Sequence, residues 1–163
     1  MWGTENSGPK AAQKESFAGR AAVICDREDS EQDALALVEN IVKNLEMHLI
    51  YMNADAHDVH TAYISHISHI TSYALANTVL EKEREEDTIF QLASSGFSST
   101  VRLAKSHPEM WVPIFKQNKE NVLDVLNEHI TQLRKFKSAL EKENFELLEE
   151  LIKNANKIRG ILK

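Results

Sequence analysis

The chain has 163 residues, 42% of them hydrophobic and 27% charged, which suffices for one sizeable core but not for two domains of ordinary size. Its formal net charge of -6 and the lack of a dense Lys/Arg stripe exclude the clustered cations that nucleic-acid phosphates require, so no nucleic-acid partner is expected. No apolar run approaches the roughly 18 residues of a bilayer span and no basic segment followed by an apolar stretch opens the chain, so no membrane partner is expected and the reading is a soluble, cytoplasmic protein.

Residues 1–19 contain Gly3, Gly8, Pro9 and Gly19 and show neither helical nor strand periodicity, which reads as loop. Arg20 to Cys25 is a short apolar run suited to a buried strand. Cys25 is the one cysteine, so no internal disulfide can form, and its apolar surroundings mark a buried structural thiol rather than a nucleophile. A helix is predicted from Asp29-Ser30, with apolar residues at Leu35, Val38, Ile41, Val42 and Leu45, and His48 to Met52 reads as a second short strand. Strand, helix, strand is one βαβ unit; it cannot cover both of its own faces, so further sheet is expected ahead of residue 1.

From Ala54 onward the strand signals stop and apolar residues recur at three- and four-residue spacing. One long helix is predicted from Ala54 to about Lys82, carrying Ala62, Ile67, Ile70, Tyr73, Ala74 and Leu80, with the charge run Glu81 to Asp87 closing it as a solvated turn. Shorter helices follow over Glu86 to Ala93 and Phe97 to Ser106, broken at Gly96 and at His107-Pro108. Beyond Pro108 the stripe Val122, Leu126, His129, Leu133, Phe136 and Leu140 predicts a long helix, and Phe145, Leu148, Ile152, Ala155 and Ile158 a last one. Two such stripes on so small a domain predict a homodimer built on helices.

Two polar constellations stand out. The first is His57-Asp58-x-His60 followed by Ser65-His66-Ile67-Ser68-His69. At about 100° per residue, Asp58, Ala62, Ser65 and His69 share one stripe; His57 and His66 flank it on opposite sides, and His60 points away. Polar groups aligned in this way either hydrogen-bond one another or line a cleft. A metal site needs more: His66 and His69 supply at most two ligands, and zinc wants four. The His-Asp pair is similar to that of metal-dependent phosphohydrolases, but His107 and His129 do not supply that family's remaining ligands, so no metal is expected. The second constellation is Ser94 to Arg102, followed by His107 to Trp111. Small residues around Gly96 allow a ligand close to the backbone at a helix start, where free N–H groups favour an anion. Arg102 beyond it either holds a carboxylate in its planar fork or is an ordinary surface arginine.

In their order along the chain, His57-Asp58, Ser65-His66-Ile67-Ser68-His69, Gly96-Phe97 through Thr100-Val101-Arg102-Leu103-Ala104, Pro108-Glu109-Met110-Trp111, and Ile114-Phe115 with Asn118 and Glu120 resemble prephenate dehydrogenases. The opening Met1-Trp2-Gly3-Thr4-Glu5-Asn6-Ser7-Gly8 is similar to that family's His-Pro-Met-x-Gly-x-Glu-x-Ser-Gly, entered at the methionine. The resemblance implies a mostly α chain, with residues 1–53 a short βαβ remnant of the Rossmann-like NAD(P)-binding domain and residues 54–163 an all-helical dimerisation and substrate-binding domain. It also implies that the catalytic histidine and the glycine-rich pyrophosphate turn lie ahead of Met1.

The implied reaction is oxidative decarboxylation of prephenate to 4-hydroxyphenylpyruvate in tyrosine biosynthesis, with NAD or NADP as hydride acceptor. By motif position, Arg102 would bind a prephenate carboxylate, His69, Ser65 and Gly96 would line the pocket, Asp58 would orient pocket groups, Trp111 would wall the cleft and Glu5 would act as a gate. The chain alone is expected to be inactive. The competing expectation is a free-standing helical dimerisation or ligand-sensing module without catalysis.

Overall fold

A computed structural model of the chain describes residues 8–13, 16–86 and 88–161. Glu5 and most of the opening motif lie outside the described residues. Contacts group the chain into two units that divide between Val122 and Leu123.

In the first unit β1 (Ala21–Cys25) and β2 (His48–Met52) pair in parallel, Ala21 opposite His48 through Cys25 opposite Met52, with α1 (Gln32–Asn44) between them in sequence. Side chains alternate across a strand. Ala22 joins Val42 and Met47 in a buried cluster with Leu49 against it, so α1 covers that face. Ala21, Val23, Ile50 and Met52 lie on the other face and line an open cleft with His57, His60, Thr61 and Ile64. The βαβ unit therefore covers one face of its sheet.

The helix start differs from expectation. Asp26 takes a left-handed conformation at φ 45, and Arg27–Asp29 form a 3-10 turn before α1 begins at Gln32. Asp26 spans the strand end and the next helix: its N–H donates to the Met52 carbonyl at 3.1 Å, and both of its carboxylate oxygens lie 3.2 Å from the Ala54 N–H. A helix's first N–H groups lack internal partners and favour negative charge. Of the predicted α1 stripe, Leu35 and Val42 are buried whereas Val38, Ile41 and Leu45 stay exposed. Cys25 is partly rather than fully buried, and burial, with Asp26 and Asp58 nearby, pushes its thiol pKa up and keeps it protonated.

The predicted long helix is α2 (Ala54–Thr61), a π-helical turn over Ala62–His66, and α3 (Ile67–Glu86). Asn53 starts it by accepting the Ala56 N–H at 2.7 Å. The helix continues through the charged residues to Glu86 rather than closing at Lys82, because Glu and Lys are good helix formers. The expected helix from Glu86 to Ala93 is only a 3-10 turn, Ile89–Leu92. That from Phe97 to Ser106 is α4 (Ser95–Thr100) followed by a 3-10 turn, Arg102–Lys105. Gly96 does not break the chain; it lies inside α4. The segment after Pro108 is likewise two helices, α5 (Pro108–Gln117) and α6 (Lys119–Glu141), separated at Asn118.

The second unit holds the remainder of α6 and α7 (Phe145–Ala155), which ends in a 3-10 turn, Asn156–Gly160. Glu143, at φ 50, makes the corner, and the Asn144 side chain accepts the Leu147 N–H at 3.0 Å. Val125 and Ala139 are buried, but Leu133 and Leu140 are each 56% exposed, Phe145 63% and Ile152 48%. Much of the predicted stripe thus remains uncovered within the single chain. No helix among the described residues is long and apolar enough to cross a membrane.

Candidate functional site

The site is built around the π turn. The Ile67 N–H reaches back five residues to the Ala62 carbonyl, which adds a residue to one turn and rotates everything downstream by about 100° relative to a straight count. Counted through the bulge, His66 rather than Ser65 or His69 falls in line with Asp58. The contacts agree. Asn118 Nδ2 donates to the Asp58 carbonyl at 2.7 Å and lies 3.3 Å from His66 Nδ1, while Asn118 Oδ1 accepts from Asn121 at 2.7 Å. The Asp58 carboxylate turns to its neighbour His57, Nδ1 to Oδ1 3.0 Å, in a largely solvated pair.

The buried face of this helix is polar: Ala62, Ser65, His66, His69 and Ser72 are all under one tenth exposed. Both histidines are neutral, and their partners assign opposite tautomers. His69 Nδ1 lies 3.0 Å from the Ser65 carbonyl, which can only accept, so Nδ1 carries the proton and Nε2 keeps its lone pair. His66 Nδ1 faces the Asn118 amide nitrogen, which can only donate, so the proton of His66 sits on Nε2. Burial is the main cause that lowers both pKa values. His69 adds to it at His66 against the opposing pull of Asp58, and at His69 the Arg102 charge acts against the Ser65 hydrogen bond.

Aromatic rings from α5 wall this face. Trp111 stacks on His69 with centroids 3.4 Å apart and planes 28° apart, and it meets His66 edge-on at 6.0 Å. Phe115 packs 5.4 Å from Trp111. Trp111 is 2% exposed, and its Nε1 is a buried donor without an acceptor among the described residues. Beyond His69, the Tyr73 hydroxyl is raised in pKa by burial, with Ser106 pulling the other way.

Of the residues singled out in the sequence, the structure brings Ser65, His69 and Trp111 into contact and sets the exposed Arg102 close enough to His69 for its charge to be felt. It does not bring the Asp58 carboxylate into their row. Gly96 serves through its carbonyl, which accepts both the Ser99 and the Thr100 hydroxyls at 2.9 Å, and its φ is not in the left-handed region. Sequence spacing missed His66 and Ser72. Ser72 lay within reach, since Ser65, His69 and Ser72 continue one four-three spacing in the sequence. His66 did not, because a straight helix places it to the side. Among the described residues no group of three or more His, Cys, Asp or Glu side chains is arranged to hold a metal ion.

Fold and site together define a class: an α/β edge of the nucleotide-binding kind that runs into a helical body carrying a compact site of neutral imidazoles, an indole wall and an arginine. Residues 53–154 match the family described as "Prephenate dehydrogenase, dimerization domain" and residues 1–51 that described as "Prephenate dehydrogenase, nucleotide-binding domain". The chain belongs to the prephenate dehydrogenase family.

It is 29% identical over 159 residues to prephenate dehydrogenase of Bacillus subtilis, covering 98% of this chain and 43% of that one. It is also 29% identical over 162 residues to cyclohexadienyl dehydrogenase of Zymomonas mobilis, covering 99% and 55%. The crystal structure of prephenate dehydrogenase from Aquifex aeolicus, in complex with hydroxyphenyl propionate and NAD+, superposes with a TM-score of 0.87 at 28% identity, covering 99% of this chain and 56% of that one. The chain thus spans about half the length of the relatives it matches.

Proposed function

We propose that this chain is the substrate-holding and dimerising part of a prephenate dehydrogenase, an oxidoreductase that converts prephenate to 4-hydroxyphenylpyruvate and carbon dioxide. NAD or NADP would accept the hydride released from the ring carbinol. The protein's task is then to orient the ring and hold its carboxylates.

What supports this reading is a neutral His69 held by stacking on Trp111 and by the Ser65 carbonyl, with Arg102 near enough for its charge to lower the His69 pKa. A guanidinium near such a site suits a carboxylate. The His69 Nε2 lone pair suits a ring hydroxyl donor, and the Trp111 indole supplies both an apolar wall and a buried N–H. Ser65 fixes His69 through its carbonyl, Gly96 anchors the hydroxyl-rich turn ahead of Arg102, and Asp58 acts through His57 and His66. Glu5 is proposed as a gate by its motif position. Residues 1–53 would complete a nucleotide-binding domain and residues 54–163 the dimerisation domain, with the exposed Leu133, Leu140, Phe145 and Ile152 meeting a second copy. The reading uses no metal.

The test is calorimetric titration of prephenate into the chain and into Arg102→Ala, together with a dehydrogenase assay of the upstream-extended protein with prephenate and each cofactor. Arg102→Ala should weaken prephenate binding by about ten- to a hundredfold, the scale of a charge-assisted bidentate contact. Unchanged affinity would remove the carboxylate role. The chain alone should not reduce NAD; measurable reduction by the purified chain would show that its site is more complete than proposed.

A further inference from the structure

Ser72 is a fully buried hydroxyl on α3 that no motif accounts for. Its Oγ donates to the Thr100 carbonyl at 3.1 Å and accepts the Ala104 N–H at 3.0 Å. Thr100 and Ala104 are four residues apart, the pair that an uninterrupted α-helix would bond directly. The hydroxyl is inserted into that rung of the ladder, a recognised cause of helix opening. The Ala104 N–H is shared with the Val101 carbonyl at 3.0 Å, which is the tighter 3-10 pattern, and Val101 at φ -92, ψ 8 marks the junction between α4 and the 3-10 turn. Arg102 lies midway between the two groups that Ser72 holds.

We infer that Ser72 is a positioning residue for Arg102: its hydroxyl splits the Thr100–Ala104 helical bond and thereby sets the direction in which the guanidinium leaves the backbone. The physical reason is angular. A continuous α-helix turns by about 100° per residue and a 3-10 helix by about 120°, so the residue at the switch leaves in a direction that neither regular helix would give. Ser72 sits on the same helix as His69, three residues on, so one rigid element presents the imidazole and fixes the arginine backbone. The functional side of this inference rests on the reading of Arg102 as the prephenate carboxylate ligand; its structural side does not.

Two measurements on the chain separate these. In a crystal or solution structure of Ser72→Ala, the Thr100 carbonyl and Ala104 N–H should bond directly, α4 should lengthen, and the Arg102 side chain should leave the backbone in a different direction. An unchanged Arg102 direction would overturn the inference. In calorimetric titration, Ser72→Ala should weaken prephenate binding about tenfold, Ser72→Thr, which keeps the hydroxyl, should stay within about twofold of the parent, and Ser72→Ala should add nothing in an Arg102→Ala background. An equal loss in both backgrounds would mean that Ser72 merely stabilises the fold, and would also overturn it. If the parent chain binds no prephenate, the functional reading falls while the structure of the variant still decides the role of Ser72. Should Ser72→Ala not fold, loss of the Arg102 contribution in a folded Ser72→Thr protein would count against the inference, since that variant retains the hydroxyl.

Discussion

His69 lies flat against Trp111, ring centroids 3.4 Å apart, while its Nδ1 donates to the Ser65 carbonyl on the turn before it. One imidazole is thus fixed in plane by stacking and in tautomer by a backbone bond, which leaves a single acceptor nitrogen with one direction to point. Preorganisation of this kind lets a binding site discriminate without spending ligand energy on ordering its own side chains.

Removing the indole should therefore change the titration of His69. In Trp111→Ala water reaches the ring, the desolvation that holds its pKa down is relieved, and the value should rise toward that of an ordinary histidine. An NMR pH titration of the imidazole carbon and nitrogen resonances reads this directly; a pKa that stays where it was would show that the indole does not exclude water. The same variant should lose about 3–5 kcal/mol of stability, as large-to-small changes at buried aromatics do.

The pH dependence of folding has a definite sign. His66 and His69 have pKa values lowered by burial, so above the ordinary histidine range neither state binds a proton and they contribute no slope. As pH falls through that range the unfolded chain takes up protons that the native chain refuses, and stability declines until the native pKa values are reached. Urea unfolding at pH 7.5 and 5.5 should show lower stability at 5.5, and His66→Gln should flatten the dependence. Equal stability at the two pH values in the parent would contradict the neutral assignment.

Asn118 should matter more than its place between two helices suggests. Its amide nitrogen serves the Asp58 carbonyl and His66 together, so Asn118→Ala leaves the buried His66 Nδ1 unpaired at a cost of about 1–3 kcal/mol. Asn118→Asp keeps the shape but replaces the donor with a carboxylate, and should move the His66 proton to Nδ1 and raise its pKa. Nitrogen chemical shifts distinguish the tautomers.

The uncovered stripe of α6 and α7 should be an interface. Sedimentation equilibrium is expected to give a dimer, and Leu133→Glu combined with Leu140→Glu should shift it to monomer with the helical circular dichroism retained. Monomeric parent protein at micromolar concentration would count against this surface.

Much of the architecture was legible in the linear pattern because it depends on local rules. Alternation and apolar runs located β1 and β2, and the three-four spacing located the helical region from Ala54 on. The errors fall where a local rule meets a competitor. Gly96 looks like a breaker, but it lies in the first turn of a helix started by serines, where a glycine costs little. The charge run after Leu80 looks like a turn, but its residues favour helix. The stripe through Val122 and Leu126 hides the break at Asn118, whose amide nitrogen is engaged with Asp58 and His66.

By itself the sequence determined the two strands, the helical character of the region beyond Ala54, the polar character of the α2–α3 face and, through residue order, the family. Only the tertiary structure decided which of those polar groups meet. A single π turn rotates Ser65, His66, His69 and Ser72 relative to Asp58, and a hydroxyl 28 residues away from Thr100 in sequence opens the helix ahead of Arg102. Helical spacing is a reliable guide only while every turn holds the same number of residues. The π turn closes on its own backbone and the opening at Arg102 is held by a side chain from a distant segment, and local periodicity records neither.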